Sequence, residues 1–296
     1  MSRLIASLCL LVSLGSRPAS AGRPVRGSVS HPDVTVTTSR GQYDLRVYPP
    51  RDPPSIPSAA PSTGRGSQSA LPNSARGDPT RLGELPLILL ISGEGGWRSF
   101  DELLAGWLSE AGYWVGGVDA LKYFWNAQDD RGILADDFRA YAAALAKAAG
   151  RRSDSALLLA GFSFGADLAP WLAGAGGWEG RIHGLLMIAP DAMGSLEFRL
   201  SEILGFEAKD HVFQVAEALR GSAGTPVAFI HGAEDSKSAA PALSRAASDP
   251  KRLVSIPGAN HHFSGKEADL RRAVSEATRW LVTAGSPPSA PEGLKR

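Results

Sequence analysis

Cysteine is nearly absent from this 296-residue chain: the only one is Cys9, close to the amino terminus. A lone thiol cannot form an intramolecular disulfide, and its position leaves the rest of the chain without a cysteine nucleophile or a cysteine-ligated metal. A large excess of one charge is absent too, since 31 Lys and Arg residues face 30 Asp and Glu residues, and no basic stripe alternates with aromatic side chains. Nucleic acid is therefore not an expected partner.

The apolar run at residues 4–15 is too short to cross a bilayer as a permanent helix. Arg3 precedes this run and an Ala-x-Ala site at residues 19–21 follows it, an order that is typical of a secretory signal peptide. We predict that residues 1–21 are such a signal, with a buried N-terminal helix as the alternative. Its removal would take Cys9 away, which fits export to an oxidising compartment.

Two short runs follow, at residues 34–38 and 43–48, and both are rich in β-branched and aromatic side chains. A turn-forming tetrapeptide separates them, which predicts a hairpin at the edge of a sheet. Residues 49–83 are rich in Pro, Ser, Gly and Arg and nearly lack large apolar side chains. This composition predicts a disordered loop inside one domain, with a linker between two domains as the alternative.

The overall composition, with 43% hydrophobic and 21% charged residues, is that of a chain that buries one full core. We expect residues 84–285 to form a single α/β domain. Residues 22–48 are too few to fold alone and should add edge strands to it. Residues 286–296 are expected to form a disordered tail.

Apolar runs alternate with amphipathic segments throughout the domain, which predicts a mostly parallel central sheet with helices on both faces. Strands are expected at residues 85–91, 113–118, 156–160, 182–189, 226–231 and 253–256. Helices are expected at residues 100–111, 130–149 and 266–284, with a further helix starting at residue 164.

Local patterns add detail to three of these regions. Ser99 is expected to cap the first helix, with Glu102 completing a capping box. In the second helix, the apolar periodicity places Ile133 on the inward face, beside Leu134. Residues 190–222 have a mixed pattern, which predicts a small excursion over the sheet edge without defining its strands.

The segment that carries most of the chemistry is residues 156–167, where an apolar run leads into a Gly-x-Ser-x-Gly motif at residues 161–165. A strand, this turn and a helix in succession are the features of a nucleophile elbow, whose glycines allow close backbone approach. We predict that Ser163 is a nucleophile and that the backbone N–H of Phe164 faces a developing oxyanion. A purely structural turn is the alternative.

A glycine-rich loop at residues 92–97 follows the strand predicted at residues 85–91. In serine hydrolases the loop in this place supplies a second oxyanion donor, usually the N–H of the residue after the first glycine. Here that residue is Glu94, with Gly95 as the alternative donor and a non-catalytic turn as the structural alternative. A phosphate-binding loop is not expected, because no Gly-Lys-Ser/Thr follows.

Ser163, Asp235 and His261 occur in the chain order of the catalytic triad of α/β-hydrolases, with the acid and the base each just after a late predicted strand. In such a triad the serine attacks an acyl carbon, the histidine takes and returns a proton, and the aspartate orients the imidazole. Glu234 is the alternative acid and His262 the alternative base. We therefore predict an α/β-hydrolase fold, with no metal and no cofactor.

Three further residues are candidates for substrate binding. Asp119 ends the strand predicted at residues 113–118, and Trp125 lies in the aromatic loop after it. Ligands of open α/β sheets bind outside the carboxyl ends of the strands, so both should overhang the site. Asp167 lies in the first turn of the elbow helix. The alternatives are helix capping or loop bracing for Asp119, packing for the aromatic loop, and a favourable helix-dipole contact for Asp167.

Four segments resemble the signature segments of the VirJ/AcvB family of bacterial virulence proteins. They are Ser-Gly-Glu-Gly-Gly-Trp at residues 92–97, Gly-Val-Asp-Ala-Leu-Lys-Tyr-Phe-Trp at 117–125, Gly-Phe-Ser-Phe-Gly-Ala-Asp at 161–167, and His-His-Phe at 261–263. The resemblance covers most of residues 85–281. The chain departs from the family at Glu94, where an aspartate is usual, and in the insertion at residues 49–83.

The resemblance implies a periplasmic serine esterase that hydrolyses an aminoacylated phosphatidylglycerol, chiefly the lysyl ester, at the outer face of the inner membrane. It also implies a possible protein partner in type IV secretion. We expect a monomer. A generic carboxylesterase is the enzymatic alternative, and a secretion-accessory protein with a vestigial triad is the non-enzymatic one.

Overall fold

The structure is a computed structural model that describes residues 33–51, 85–198 and 210–285. The predicted signal peptide, most of the predicted loop at 49–83 and the predicted tail lie outside the described residues. The strands are β1 Val34–Thr38, β2 Gly41–Tyr48, β3 Leu87–Ile91, β4 Val115–Val118, β5 Leu157–Phe162, β6 Ile182–Ile188, β7 Met193–Ser195, β8 Val212–Gln214, β9 Val227–Gly232 and β10 Lys251–Ile256. The helices are α1 Ser99–Glu110, α2 Ala120–Tyr123, α3 Arg131–Ala148, α4 Phe164–Ala173, α5 Val215–Gly221, α6 Ala240–Ala246 and α7 Glu267–Ala284.

Eight strands form one sheet in the order β1-β2-β4-β3-β5-β6-β9-β10. Strand β2 is antiparallel to both β1 and β4, and the other neighbouring pairs are parallel. The loops that follow β3, β5, β9 and β10 therefore emerge at the same edge of the sheet. This edge brings together segments that are far apart in the sequence.

Helices cover both faces of the sheet, and side chains alternate between the two cores they create. Leu87 and Leu89 of β3 pack on the side of α3 and α4, whereas Ile88 and Leu90 pack on the side of α1 and α7. A strand buried on both faces has no polar alternation, which explains the continuous apolar run of β3. No helix among the described residues combines the length and apolar character needed to cross a membrane.

Two local predictions about helices were wrong. Helix α1 begins one residue earlier than expected, so its N-cap is Arg98, and the capping position three residues on is Asp101 rather than Glu102. The Asp101 carboxylate accepts the Arg98 N–H at 2.9 Å. Ile133 is 39% exposed, because it lies in the first turn of α3, on a side that turns away from the sheet.

The β1–β2 hairpin is fixed to the domain by a buried carboxylate. Asp137 of α3 accepts the Ser39 N–H at 2.7 Å and the Ser39 hydroxyl at 2.6 Å. The Tyr123 hydroxyl donates to the same carboxylate at 2.5 Å. Three donors satisfy a group that would be costly to bury alone, so the hairpin turn, α2 and α3 are held at one point.

The excursion predicted at residues 190–222 contains a small antiparallel pair, β7 and β8, followed by α5; residues 199–209 lie outside the described residues. Two backbone bonds tie it to the loop after β4. The Gln128 N–H donates to the Leu196 carbonyl at 3.0 Å, and the Phe198 N–H donates to the Phe124 carbonyl at 2.8 Å. The described part of the excursion and the loop after β4 are therefore hydrogen-bonded to each other.

Candidate active site

The turn between β5 and α4 has the geometry of a nucleophile elbow. Ser163 takes φ 52° and ψ −122°, a conformation that costs a non-glycine residue free energy and is found mainly at functional sites. A Cβ on Gly161 would lie 2.1 Å from the carbonyl carbon of Gly165, so β5 and α4 approach too closely for any side chain at that position. The motif is therefore required by the local backbone.

Ser163, His261 and Asp235 form a hydrogen-bonded chain. The Nε2 atom of His261 lies 3.2 Å from Ser163 Oγ, and its Nδ1 atom lies 2.8 Å from Asp235 Oδ2. When Nδ1–H donates to the carboxylate, Nε2 presents a lone pair to the serine hydroxyl. The Asp235 side chain is only 2% exposed, and its other oxygen accepts the Lys237 N–H at 3.1 Å. The carboxylate is thus held in one orientation.

The alternative acid and base lie outside this chain. His262 is exposed, and its ring is edge-on to that of His261, with 5.2 Å between centroids. Glu234 is also exposed, and its N–H donates to the Ala259 carbonyl at 2.9 Å. The geometry therefore places His261 and Asp235, rather than their neighbours, in line with Ser163.

The loops that carry the acid and the base pack directly on each other. A Cβ on Gly232 would lie 2.3 Å from the Ala259 carbonyl oxygen, so the end of β9 touches the loop after β10. The Phe162 ring packs beside the imidazole of His261 at 5.3 Å and against Phe100 at 4.5 Å. Backbone contact and aromatic packing together hold His261 in place.

Two backbone amides border the nucleophile. Phe164 is the first residue of α4, so its N–H has no acceptor within the helix. The glycine-rich loop passes the elbow at Gly93, where an added Cβ would lie 3.5 Å from the Ser163 Cβ. The Gly96 N–H donates to the Gly93 carbonyl at 3.0 Å, and this turn leaves the N–H of its second residue, Glu94, unused. The Glu94 side chain is exposed.

The predicted substrate-binding residues Asp119 and Trp125 differ in their surroundings. Asp119 is the N-cap of α2, accepts the Lys122 N–H at 3.3 Å and lies 3.9 Å from Arg46 Nη1, with 11% of its side chain exposed. These contacts correspond to the capping and bracing alternative. Trp125 is 55% exposed on the loop that packs against the excursion.

Asp167 does not reach the surface, where a substrate-binding carboxylate was expected. It is 3% exposed, and it accepts the Asp191 N–H at 2.8 Å. Burial raises the pKa of Asp167 well above its ordinary value, and the nearby carboxylates of Asp191 and Glu94 add to the rise, while the Asp191 N–H opposes it. Its contact anchors the start of the excursion to α4.

Sequence reasoning missed two buried polar residues near the site, Ser92 of the glycine-rich loop and Asp101 in the first turn of α1. Ser92 directly follows β3 and is fully buried. A polar residue that ends a continuous apolar strand is the signal that could have singled it out. His231, which lies outside the triad, is buried on β9, and burial lowers its pKa.

Three solved structures with similar architecture are hydrolases or esterases with little sequence similarity to the chain. A serine hydrolase without a lid from Xanthomonas campestris is 22% identical, covers 90% of this chain and 100% of its own, and gives a TM-score of 0.51. Dienelactone hydrolase from Anabaena variabilis is 16% identical, covers 85% and 97%, and gives 0.56. The esterase domain of a Rhodothermus marinus protein is 16% identical, covers 85% and 97%, and gives 0.53.

These similarities establish the α/β-hydrolase fold, which confirms the predicted fold class. No curated protein sequence matches the chain significantly. The family model for the bacterial virulence protein VirJ, in contrast, matches residues 86–280, a region that holds the elbow, the glycine-rich loop, Asp235 and His261. The chain therefore belongs to the VirJ family.

Proposed function

We propose that the protein is a serine esterase of the periplasm that hydrolyses the aminoacyl ester of phosphatidylglycerol, chiefly the lysyl ester. The observation that carries the esterase proposal is the chain from Ser163 Oγ through His261 to the Asp235 carboxylate, at 3.2 and 2.8 Å. This arrangement lowers the barrier to acyl transfer by combining a nucleophile, a base and an orienting carboxylate.

In the first half of the reaction, Ser163 Oγ attacks the carbonyl carbon of the aminoacyl ester while His261 Nε2 takes the hydroxyl proton. The oxyanion of the tetrahedral intermediate receives hydrogen bonds from the N–H groups of Glu94 and Phe164. When the carbon–oxygen bond breaks, His261 gives its proton to the departing glycerol oxygen, so that phosphatidylglycerol leaves with a free hydroxyl and an aminoacyl-serine remains.

In the second half, a water molecule attacks the aminoacyl-serine and gives its proton to His261. The intermediate collapses, the proton returns to Ser163 Oγ, and the free amino acid leaves. Asp235 stays ionised and stabilises the imidazolium in both halves. Its almost complete burial keeps this contact from being weakened by solvent.

The substrate part of the proposal is supported by membership of the VirJ family and by the charge around the site. Glu94 is exposed next to the nucleophile, and Asp191 is exposed at the start of the excursion. Carboxylates beside a partly desolvated site favour a substrate with an ammonium group. The periplasmic part is supported by the signal-peptide pattern at residues 1–21.

Labelling with a fluorophosphonate tests the catalytic proposal. We expect the wild-type protein to react and the label to map to the peptide that contains Ser163, whereas Ser163→Ala should not react. Ser264→Ala is the matched control, because Ser264 is exposed on the His261 loop and its N–H bond to Asn260 is made by the backbone. Labelling of Ser163→Ala equal to that of wild type would refute the proposal, and an unlabelled wild type would favour a non-catalytic accessory role.

Release of lysine from vesicles that contain lysyl-phosphatidylglycerol tests the substrate. We expect release by the wild type and not by Ser163→Ala. Hydrolysis of p-nitrophenyl butyrate without release of lysine would show a generic carboxylesterase. Fractionation of cells that produce the full chain tests the periplasmic location.

A further inference from the structure

Ser92 makes hydrogen bonds that connect the glycine-rich loop to the neighbouring strand and helix. It is fully buried at the end of β3, and its N–H donates to the Val118 carbonyl at 3.1 Å. Its Oγ accepts the Ala120 N–H at 3.0 Å and donates to the Gly93 carbonyl at 3.2 Å. The hydroxyl therefore links the first amide of α2 to the peptide group that precedes Glu94.

The Gly93 carbonyl and the Glu94 N–H belong to one planar peptide group, in which the two bonds point in opposite directions. The carbonyl accepts from Ser92 Oγ and, at 3.0 Å, from the Gly96 N–H. Donors that hold the carbonyl oxygen on one side thereby fix the direction of the N–H on the other side. The orientation of the Glu94 amide is thus set by groups that do not touch a substrate.

We propose that Ser92 is a positioning residue, whose hydroxyl fixes the Gly93–Glu94 peptide so that the Glu94 N–H points at the developing oxyanion. The proposal rests on the proposed esterase function. It assigns to Ser92 an effect on the transition state, because an oxyanion donor acts where negative charge appears during the reaction.

The surroundings of Ser92 call for a small side chain with a hydroxyl. All five residues of β3 are fully buried and apolar, so a buried hydroxyl here is stable only if it has partners. It has two partners, and one of them, the Ala120 N–H, is a helix-terminal amide without an acceptor in its own helix. Asp119 caps the same helix, and a Cβ on Gly96 would lie 2.9 Å from its Oδ1. The glycine-rich loop therefore contacts the start of α2 at two points, through Ser92 and through Gly96.

Ser92→Ala tests the proposal, with p-nitrophenyl butyrate as substrate. We expect kcat to fall about tenfold, less than the ~10²–10³-fold that follows complete removal of an oxyanion donor. KM should change by less than about twofold, because the ground-state ester gains little from the donor. The rate of fluorophosphonate inactivation should fall with kcat, since its phosphoryl oxygen occupies the same place.

Ser109→Ala is the matched control. Ser109 is also a buried serine, 2% exposed, and its hydroxyl donates to the Pro49 carbonyl at 2.5 Å. It lies at the C-terminal end of α1, whereas the glycine-rich loop leads into the N-terminal end. Both variants should lose thermal stability, because each removes a side-chain hydrogen bond to a backbone group. Only Ser92→Ala should lose kcat. Equal kcat values for the two variants would overturn the proposal.

If Ser92→Ala does not fold, Ser92→Cys gives the same test, because a thiol has similar size and is a weak donor. A folded Ser92→Cys with the kcat of wild type would overturn the proposal. Failure of the esterase function itself is distinguishable, since it would appear as an inactive wild type or as full activity in Ser163→Ala. Loss of activity in Ser163→Ala together with an unaffected Ser92 variant would overturn only the role of Ser92.

Discussion

Gly165 lies against the Ile91 carbonyl so closely that a Cβ built on the glycine would stand 2.1 Å from the carbonyl oxygen. Gly165 belongs to the first turn of α4, and Ile91 ends β3. The contact therefore joins the elbow that carries the nucleophile to the strand that leads into the glycine-rich loop. The relative position of Ser163 and the Glu94 amide depends on this approach.

Gly165→Ala should accordingly destabilise the protein by about 3 kcal/mol, because neither backbone can move away without disturbing the sheet. Gly106→Ala is the control, since Gly106 lies within α1 and an added Cβ would meet nothing within 4 Å. Replacing a helical glycine by alanine there should stabilise by about 0.5–1 kcal/mol. Urea denaturation measures both, and equal midpoints would contradict the role given to Gly165.

Ser163→Gly should raise stability while it abolishes esterase activity. The φ of 52° is strained for serine and is readily adopted by glycine, so relief of strain should contribute about 1 kcal/mol. Ser163→Ala retains a Cβ and should show the same loss of activity without the gain. Thermal melting of the three proteins side by side tests this, and a lower melting temperature for the glycine variant than for the alanine variant would count against it.

His261→Ala should be as damaging as Ser163→Ala, and the double variant should be no worse, because residues that act as one unit are non-additive. His262→Ala should cost much less, since that ring only packs beside His261 and Phe162. The kcat/KM values of the four variants are the measurement. The reverse ranking of the two histidines would move the base to His262.

Asp101→Asn should change how stability depends on pH. Burial raises the pKa of Asp101 to about 6, with Asp119 adding to the rise and Arg46 and the Arg98 N–H opposing it. Between about pH 4 and pH 6 the folded state holds a proton that the unfolded state has lost, so the stability that this group contributes is present at low pH and disappears as the pH rises through 6. A shift of about two units corresponds to roughly 3 kcal/mol.

The asparagine variant cannot ionise but keeps an oxygen that can accept the Arg98 N–H. Its stability relative to wild type should therefore increase from pH 4.5 to pH 7.5. Melting temperatures of both proteins at half-unit pH steps give the difference. A difference that is independent of pH would show that Asp101 titrates normally.

Asp119→Asn should lower kcat/KM for lysyl-phosphatidylglycerol and for p-nitrophenyl butyrate by similar factors. The side chain is occupied by the Lys122 N–H and lies beside Arg46, so its loss disturbs the loop rather than a charge contact with the substrate. Measurement of kcat/KM for both substrates at low salt, with folding checked by thermal melting, tests this prediction. A selective loss on the lysyl substrate would return Asp119 to the substrate-binding role.

The elbow and the order of Ser163, Asp235 and His261 could be predicted because their signals are local: a glycine pattern, or an ionisable residue in the short loop after an apolar strand. The sequence predicts His261 as the base with His262 as the alternative, and the hydrogen bonds of the structure distinguish the two adjacent rings. The burial of Asp167 could not be predicted from the sequence, because its partner Asp191 comes from the loop after β6. Contacts between distant segments have no local signature.

The helix predictions show the same limit on a smaller scale. An N-cap at Arg98 instead of Ser99 shifts the capping position from Glu102 to Asp101, and a one-residue shift cannot be decided from residues that are all suited to a first turn. Strand order likewise depends on pairing between strands that are not consecutive in the sequence. The place of β2 between β1 and β4 is set by long-range packing that the sequence pattern does not reveal.

That placement of β2 has a consequence for how far the domain can be shortened. Strand β2 pairs with β4 along Leu45–Tyr48 and contributes Leu45 and Val47 to the core, although it lies ahead of the region matched by the family model. A fragment that starts at residue 86 would leave the outer N–H and C=O groups of β4 unpaired, and such an open edge recruits other chains and promotes aggregation. The smallest unit that can fold alone is therefore larger than the region of family similarity.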